Sequence, residues 1–171
     1  MKKNCFILLV SCFVAFGFSS CSNSNQNYRD ENLAFIDNIK NREGIHELLT
    51  DSVSTGIYYE VLKTGTGALP IQGNVVSVTF QGWKYNDTIN YTANHPLLEE
   101  EAFDSSDKYQ FTVGGDVIDG WNLALQQMPV GTKWRIYVPY YLGYGTSGTT
   151  NIPAYTTLIF DIYLREIVSE N

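Results

Sequence analysis

Residues 103–121 read Phe103-Asp104-Ser105-Ser106-Asp107-Lys108-Tyr109-Gln110-Phe111-Thr112-Val113-Gly114-Gly115-Asp116-Val117-Ile118-Asp119-Gly120-Trp121, and the change of period inside this stretch decides the fold. Tyr109, Phe111 and Val113 alternate with Gln110 and Thr112, the period of a strand with one buried face. Gly114-Gly115 breaks that strand. Asp116 stands where its carboxylate could accept a free first-turn amide and cap a short helix. Ile118, Trp121 and Leu125 then fall three and four residues apart on one helical face. Pro129-Val130-Gly131 turns the chain out of that helix.

Outward from this stretch the chain reads as short strands. Ile57 to Leu62 is the first, followed by a turn at Thr64-Gly65-Thr66-Gly67. That turn is not a phosphate loop, because neither Lys-Ser/Thr nor a helix follows it. Val76, Val78 and Phe80 alternate with Ser77, Thr79 and Gln81; Trp134, Ile136 and Val138 alternate in a later strand, and Leu158, Phe160, Ile162 and Leu164 in the last. Residues 84–102, with Asn, Asp, His-Pro and Glu99-Glu100-Glu101, read as an insertion or long loop. Leu33, Ile36 and Ile39, beside Phe35, predict an amphipathic helix over 29–43 with Gly44 as its stop. Strands flanking one helix, with no strand-helix repetition, predict an α+β fold: an antiparallel sheet against one short helix, with a short N-terminal helix.

The 171 residues carry a net charge of −7, and 44% are hydrophobic, an ordinary globular composition. Loss of residues 1–20 would remove two lysines and leave 9 basic against 18 acidic residues, a balance of −9. No basic stripe is present to meet phosphates, which argues against nucleic acid and against adsorption to anionic lipid. Twelve Tyr, nine Phe and three Trp favour sheets and apolar pockets.

The first 20 residues have the form of a signal peptide, with Lys2 and Lys3 before an apolar run from Phe6 to Phe18 too short to span a membrane. Phe18-Ser19-Ser20-Cys21 resembles a bacterial lipobox, which implies cleavage before Cys21 and a lipid on its thiol. Leu9-Val10-Ser11-Cys12 fits the same pattern but leaves too short an apolar region. Cys5, Cys12 and Cys21 are the only cysteines, so the body after Cys21 has neither disulfide nor thiolate metal site. Residues 22–28 are polar and read as a flexible tether. The expected division is 1–20 lipoprotein signal peptide, 21–28 lipidated Cys and tether, 29–55 helical extension and 56–171 main domain. The expected location is that of an exported bacterial lipoprotein, held at the cell membrane or outer membrane and facing the periplasm.

From 56 to 168 a set of motifs in order resembles the FKBP-type peptidyl-prolyl cis-trans isomerases. Val78-Thr79-Phe80-Gln81-Gly82 is similar to the family's Val-X-Tyr-X-Gly strand, and Phe103-Asp104-Ser105-Ser106 equals its Phe-Asp-Ser-Ser signature. Phe111-Thr112-Val113-Gly114 and Val117-Ile118-Asp119-Gly120-Trp121 resemble its strand and pocket-floor helix. Met128-Pro129-Val130-Gly131, Val138-Pro139, Leu142-Gly143-Tyr144-Gly145, Ile152-Pro153 and Thr157-Leu158-Ile159-Phe160-Asp161 follow in the family's order.

The resemblance implies a sheet wrapped around one helix and a proline pocket needing no cofactor and no metal. It implies catalytic roles for Asp104, Trp121, Tyr144, Phe103 and Phe160, and substrate binding by Phe80, Tyr109, Phe111, Val117, Ile118 and Ile152. Trp121 would be the floor beneath the proline ring, and Phe103 and Phe160 its walls. Val117 and Ile118 would form a rim offering a backbone amide. Tyr144 would donate its phenol to a substrate carbonyl, and Asp104 would lie near the rotating carbonyl. Partners would be proline-containing polypeptide clients and, through the lipid, a membrane.

Two positions depart from the family pattern. Phe80 stands where the family usually has Tyr, and Thr149 or Thr150 where many members have His in the flap before Ile152-Pro153, here Gly145 to Asn151 and slightly short. The pocket therefore has fewer polar groups than the family pattern supplies. Competing readings are a non-catalytic peptide-binding or chaperone module on the same scaffold, and glycan capture by exposed aromatics. His46 and His95 lie far apart, Glu99-Glu100-Glu101 reads as a solvated run, and Asn86-Asp87-Thr88 and Asn90-Tyr91-Thr92 fit the glycosylation acceptor pattern.

Overall fold

The structure is a computed structural model that describes residues 24–85 and 102–169. The signal peptide, Cys21, both glycosylation patterns, His95 and Glu99-Glu100-Glu101 lie outside the described residues. In chain order come α1 (Ser24–Ile39), β1 (Ile45–Thr50), β2 (Val53–Lys63), β3 (Val75–Lys84), β4 (Asp104–Thr112), α2 (Asp119–Leu125), β5 (Lys133–Val138), a 3-10 turn (Tyr140–Leu142) and β6 (Leu158–Ser169). The six strands form one sheet in the order β1-β2-β5-β6-β3-β4, with every neighbouring pair antiparallel.

Side chains alternate between the two faces of each strand. On the inner face Val76, Val78, Phe80, Trp134, Ile136, Val138, Leu158, Phe160, Ile162 and Leu164 are buried with Trp121, Ala124 and Leu125 of α2. On the outer face Trp83, Tyr137 and Ile159 are buried beneath Phe35, Ile36 and Ile39 of α1. Each large side chain so removed from water contributes roughly 1.5–3 kcal/mol. The sheet is thus covered on both faces at its centre.

Three boundaries differ from the sequence reading. α1 starts at Ser24, so residues 24–28 are helical where composition predicts a tether, and it ends at Ile39 rather than 43. The early start has a cause in packing, because the Tyr28 phenol donates to the Tyr85 carbonyl at 3.0 Å. After α1 the chain turns at Gly44, with φ of +79°, directly into β1. The sheet therefore begins at Ile45, ahead of Gly56. β1 and β2 form a hairpin with Thr50 opposite Val53, and both loop residues, Asp51 and Ser52, have positive φ. That is the geometry of a type I′ turn, whose twist matches the strands. Glycine is the usual marker of such a turn, and its absence concealed the hairpin.

Candidate functional site

The site is assembled where α2 meets the inner face of the sheet. The N-cap of α2 is Ile118, and no side chain caps it, so Asp116 does not take the capping role its position suggests. The loop is held instead by Asn122, whose Oδ1 accepts the Gly114 amide at 2.7 Å. The helix opens on the Ile118 carbonyl, which accepts the amides of Trp121 at 3.0 Å and Asn122 at 3.3 Å. Gly120 lets the start of the helix lie against β5, since a Cβ there would sit 2.5 Å from Val138 Cγ1. This close approach sets Trp121, only 4% exposed, under the cavity.

Phe80 and Phe160 meet Trp121 edge-on, with centroids 4.9 and 5.2 Å away and interplanar angles of 81° and 85°. Phe103 meets Phe160 at 5.8 Å and 72°. Tyr109 meets Phe80 at 5.8 Å and 67°. Edge-to-face pairs of this kind lock ring orientation and are worth about 0.5–1.5 kcal/mol each beyond burial. The cavity they enclose has a volume of about 460 Å³, within the range of roughly 300–1,000 Å³ usual for small-ligand sites.

Phe80, Phe103, Asp104, Tyr109, Val117, Ile118, Trp121, Tyr144 and Phe160 line this cavity together. Phe111 and Ile152 do not. Phe111 packs one layer behind, between Tyr109 at 5.4 Å and Trp121 at 5.7 Å. Ile152 is buried at 4% exposure, and its carbonyl accepts the Thr149 amide at 2.7 Å to fold the flap. Thr149 turns its hydroxyl to the flap backbone, accepting from the amides of Asn151 and Ile152. Ser106 and Asp116 line the cavity unforeseen. The two-residue step from Asp104 along β4 could have indicated Ser106, which lies opposite Phe80. No periodic signal marks Asp116, because it sits in a loop.

The polar groups are few. Phe80 offers no hydroxyl, and the buried Trp121 indole N–H has no acceptor among the described residues. Burial, then the nearby Asp104 carboxylate and Tyr109, raise the Tyr144 phenol above its ordinary 10.0. It therefore stays a protonated donor at neutral pH. Among the described residues no cluster of His, Cys, Asp or Glu could hold a metal ion. Such a cavity can grip an apolar ring, exclude water and donate to a carbonyl.

Two expected outcomes arise here. A Cβ at Gly82 would stand 2.6 Å from Phe160 Cε1 and 3.2 Å from Phe103 Cε1. Gly82→Ala is thus expected to push the Phe160 wall inward, with a loss of about 1–3 kcal/mol typical of overpacking; urea unfolding measures it. The second concerns pH. Burial first, then Glu47, raises Tyr58; burial first, then Tyr140, raises Tyr141; Tyr144 is raised as above. The fold favours the protonated phenols, so their contribution is complete below pH 10.0 and is lost as pH climbs through the higher folded values. Calorimetric unfolding temperatures should fall above about pH 10, the ordinary tyrosine range; a rise there would contradict the assignment.

Comparison with known proteins agrees with this geometry. Residues 70–165 match the family model of the FKBP-type peptidyl-prolyl cis-trans isomerase. The chain is 32% identical over 143 residues to the FKBP-type 22 kDa peptidyl-prolyl cis-trans isomerase of Escherichia coli, covering 81% of this chain and 60% of that protein. It is 34% identical over 139 residues to the outer membrane protein MIP of Legionella longbeachae, covering 78% of this chain and 52% of that protein. A crystal structure of a peptidyl-prolyl cis-trans isomerase from Pseudomonas syringae pv. tomato superimposes with a TM-score of 0.67 at 29% identity, covering 83% of this chain and 94% of that one. The chain spans 40 to 60% of the length of the first curated relatives it matches.

Proposed function

The chain belongs to the FKBP-type peptidyl-prolyl cis-trans isomerase family, and from that premise we propose that it accelerates rotation about X-Pro peptide bonds of polypeptide clients in the cell envelope. The observation that carries this reading is the aromatic cavity over Trp121, with Tyr144 at its mouth.

Rotation about a peptide bond must cross a barrier of roughly 18–20 kcal/mol set by amide resonance. A twisted amide has less charge separation than a planar one. A water-poor aromatic cavity therefore disfavours the planar ground state more than the twisted transition state, and selective binding of the latter is catalysis. In this scheme Trp121, Phe103 and Phe160 hold the proline ring, while Phe80, Tyr109, Val117 and Ile118 bound the flanking peptide. Tyr144 donates its phenolic proton to a substrate carbonyl without giving it up. Asp104 lies near the rotating carbonyl and orients polar neighbours. Phe111 and Ile152 act from behind, as supports for the floor and the flap.

A protease-coupled assay on proline tetrapeptides, varied at the residue before proline, tests the proposal. Acceleration above the spontaneous rate is the expected result, and its absence in a folded sample would overturn it. Phe80 supports one second reading, a peptide-binding module without catalysis. Proline-peptide binding without acceleration would favour that module.

Export and lipid anchoring at Cys21 belong to the same proposal. Their support is the lipobox-like Ser19-Ser20-Cys21 and the resemblance to an outer membrane protein. Mass spectrometry of the mature amino terminus should find a diacylated Cys21. An unmodified Cys21, or cleavage elsewhere, would remove the anchor from the account.

A further inference from the structure

α1 lies outside the residues matched by the family model, 70–165, yet two of its polar side chains, Tyr28 and Asn32, reach residues 156–157, just after the flap of the cavity. Asn32 is fully buried. Its Oδ1 accepts the Thr157 amide at 2.6 Å, and its own carbonyl accepts the Thr157 hydroxyl at 3.3 Å. Asn32 Nδ2 donates to the Tyr28 carbonyl at 2.9 Å, which fixes the amide. One turn earlier, the Tyr28 hydroxyl, 3.0 Å from the Tyr85 carbonyl, also lies 3.1 Å from Thr156 Oγ1, which is itself 2.7 Å from the Pro153 carbonyl; two hydroxyl protons serve these three contacts. The Arg29 guanidinium sits 5.9 Å from the ring centre of Tyr155.

Tyr155 is where this grip meets the cavity. Its φ is +64°, a left-handed conformation that a bulky residue holds only when its surroundings impose it. Its ring packs edge-on against Tyr140 at 5.2 Å. Its amide donates to the Gly145 carbonyl at 2.9 Å, next to Tyr144 in the cavity wall. A path therefore runs from Asn32 by hydrogen bond to Thr157, along the chain to Tyr155, and by hydrogen bond to Gly145, the residue after Tyr144.

We propose that Asn32 is a positioning residue for Tyr144, and that α1 clamps the flap from the outer face of the sheet. In its kinetic expression this rests on the isomerase reading. The clamp itself has an independent readout, amide hydrogen exchange at Tyr155. The test uses the full chain with Asn32→Ala, Tyr28→Phe, Tyr144→Phe and the Asn32→Ala/Tyr144→Phe pair. Tyr28→Phe keeps the ring and removes only the hydroxyl, so it serves if Asn32→Ala does not fold.

Asn32→Ala is expected to lower kcat/KM on proline peptides about fivefold, the scale of one net hydrogen bond. In the Tyr144→Phe background the same change should cost less than about twofold, because both variants remove one effect. A general loss of stability would instead cost the same in both backgrounds. Exchange at the Tyr155 amide should quicken about tenfold in Asn32→Ala, and measurably in Tyr28→Phe. Additive kinetic losses, or Tyr155 exchange unchanged in every folded clamp variant, would overturn the proposal. A wild-type chain that binds proline peptides without accelerating their rotation would sink the isomerase reading alone, and the exchange result would still decide the clamp.

Discussion

Trp121→Ala is expected to abolish at least 99% of the proline-peptide activity and to cost about 3–5 kcal/mol of stability, the range for truncating a buried Trp or Phe. The two losses have one origin. Trp121 is 4% exposed, and its ring is the common neighbour of Phe80, Phe111 and Phe160. Its removal leaves a void that the sheet, fixed by its ladder of hydrogen bonds, cannot close. The cavity also loses the surface against which a proline ring would lie. Small domains are stable by only about 5–15 kcal/mol, so the variant is expected to fold marginally. Trp121→Phe separates the effects: an aromatic floor remains, stability should fall by less than about 2 kcal/mol, and activity by about tenfold. Urea unfolding and the protease-coupled assay on the same samples measure both. A folded Trp121→Ala variant with kcat/KM within about twofold of the parent would show that the cavity is not the isomerase site.

Asp161→Ala is expected to be as costly to the fold and far less so to the site. Asp161 follows Phe160 on β6 and, by the alternation of the strand, lies on the outer face. Its carboxylate is nearly inaccessible and accepts from Arg135 through both oxygens, at 2.6 and 3.0 Å, with Lys133 Nζ at 3.4 Å. Arg135 is directly opposite on β5, so the pair bridges the two central strands. Removing Asp161 takes from the half-buried Arg135 guanidinium a carboxylate that meets it through two hydrogen bonds, and breaking such a buried pair costs up to about 3–5 kcal/mol. Replacing both partners by apolar residues, as in Asp161→Leu with Arg135→Met, should recover most of that. Equal destabilisation of the single and double variants would refute the explanation. The proline-peptide activity of folded Asp161→Ala should stay within about threefold, since no atom of the pair lines the cavity over Trp121.

Much of the architecture was legible because it is written at short range. The alternation at Val76, Val78 and Phe80, at Trp134, Ile136 and Val138, and at Leu158 to Leu164 reports an inner face that the sheet does bury. Ile118, Trp121 and Leu125 report the helical face that meets it. The ordered motifs placed nine of the eleven proposed site residues around one cavity. Alternation was weaker evidence on the outer face, where Trp83, Tyr137 and Ile159 are as buried as their inner neighbours. There it records only that a side chain is apolar, not that a second layer lies above it.

By itself, then, the sequence determined the α+β class, the order of the central strands and of α2, and Trp121 as the floor. The class and the chain order follow from side-chain period and from turn residues a few positions apart; Trp121 as the floor is what the family motifs imply, since period alone marks it only as core. Tertiary structure decided the rest. The Asp51-Ser52 hairpin forms because strand pairing selects positive φ in two residues that do not announce it. Phe111 and Ile152 fall behind the cavity, while Ser106 and Asp116 enter it, because β4 and the loop before α2 take their angle from neighbouring strands and from Asn122. Asn32 of α1 is buried because its amide finds Thr157, 125 positions away in the chain. A buried amide of that kind is satisfied only by a partner brought close by the completed fold, and no local period encodes it.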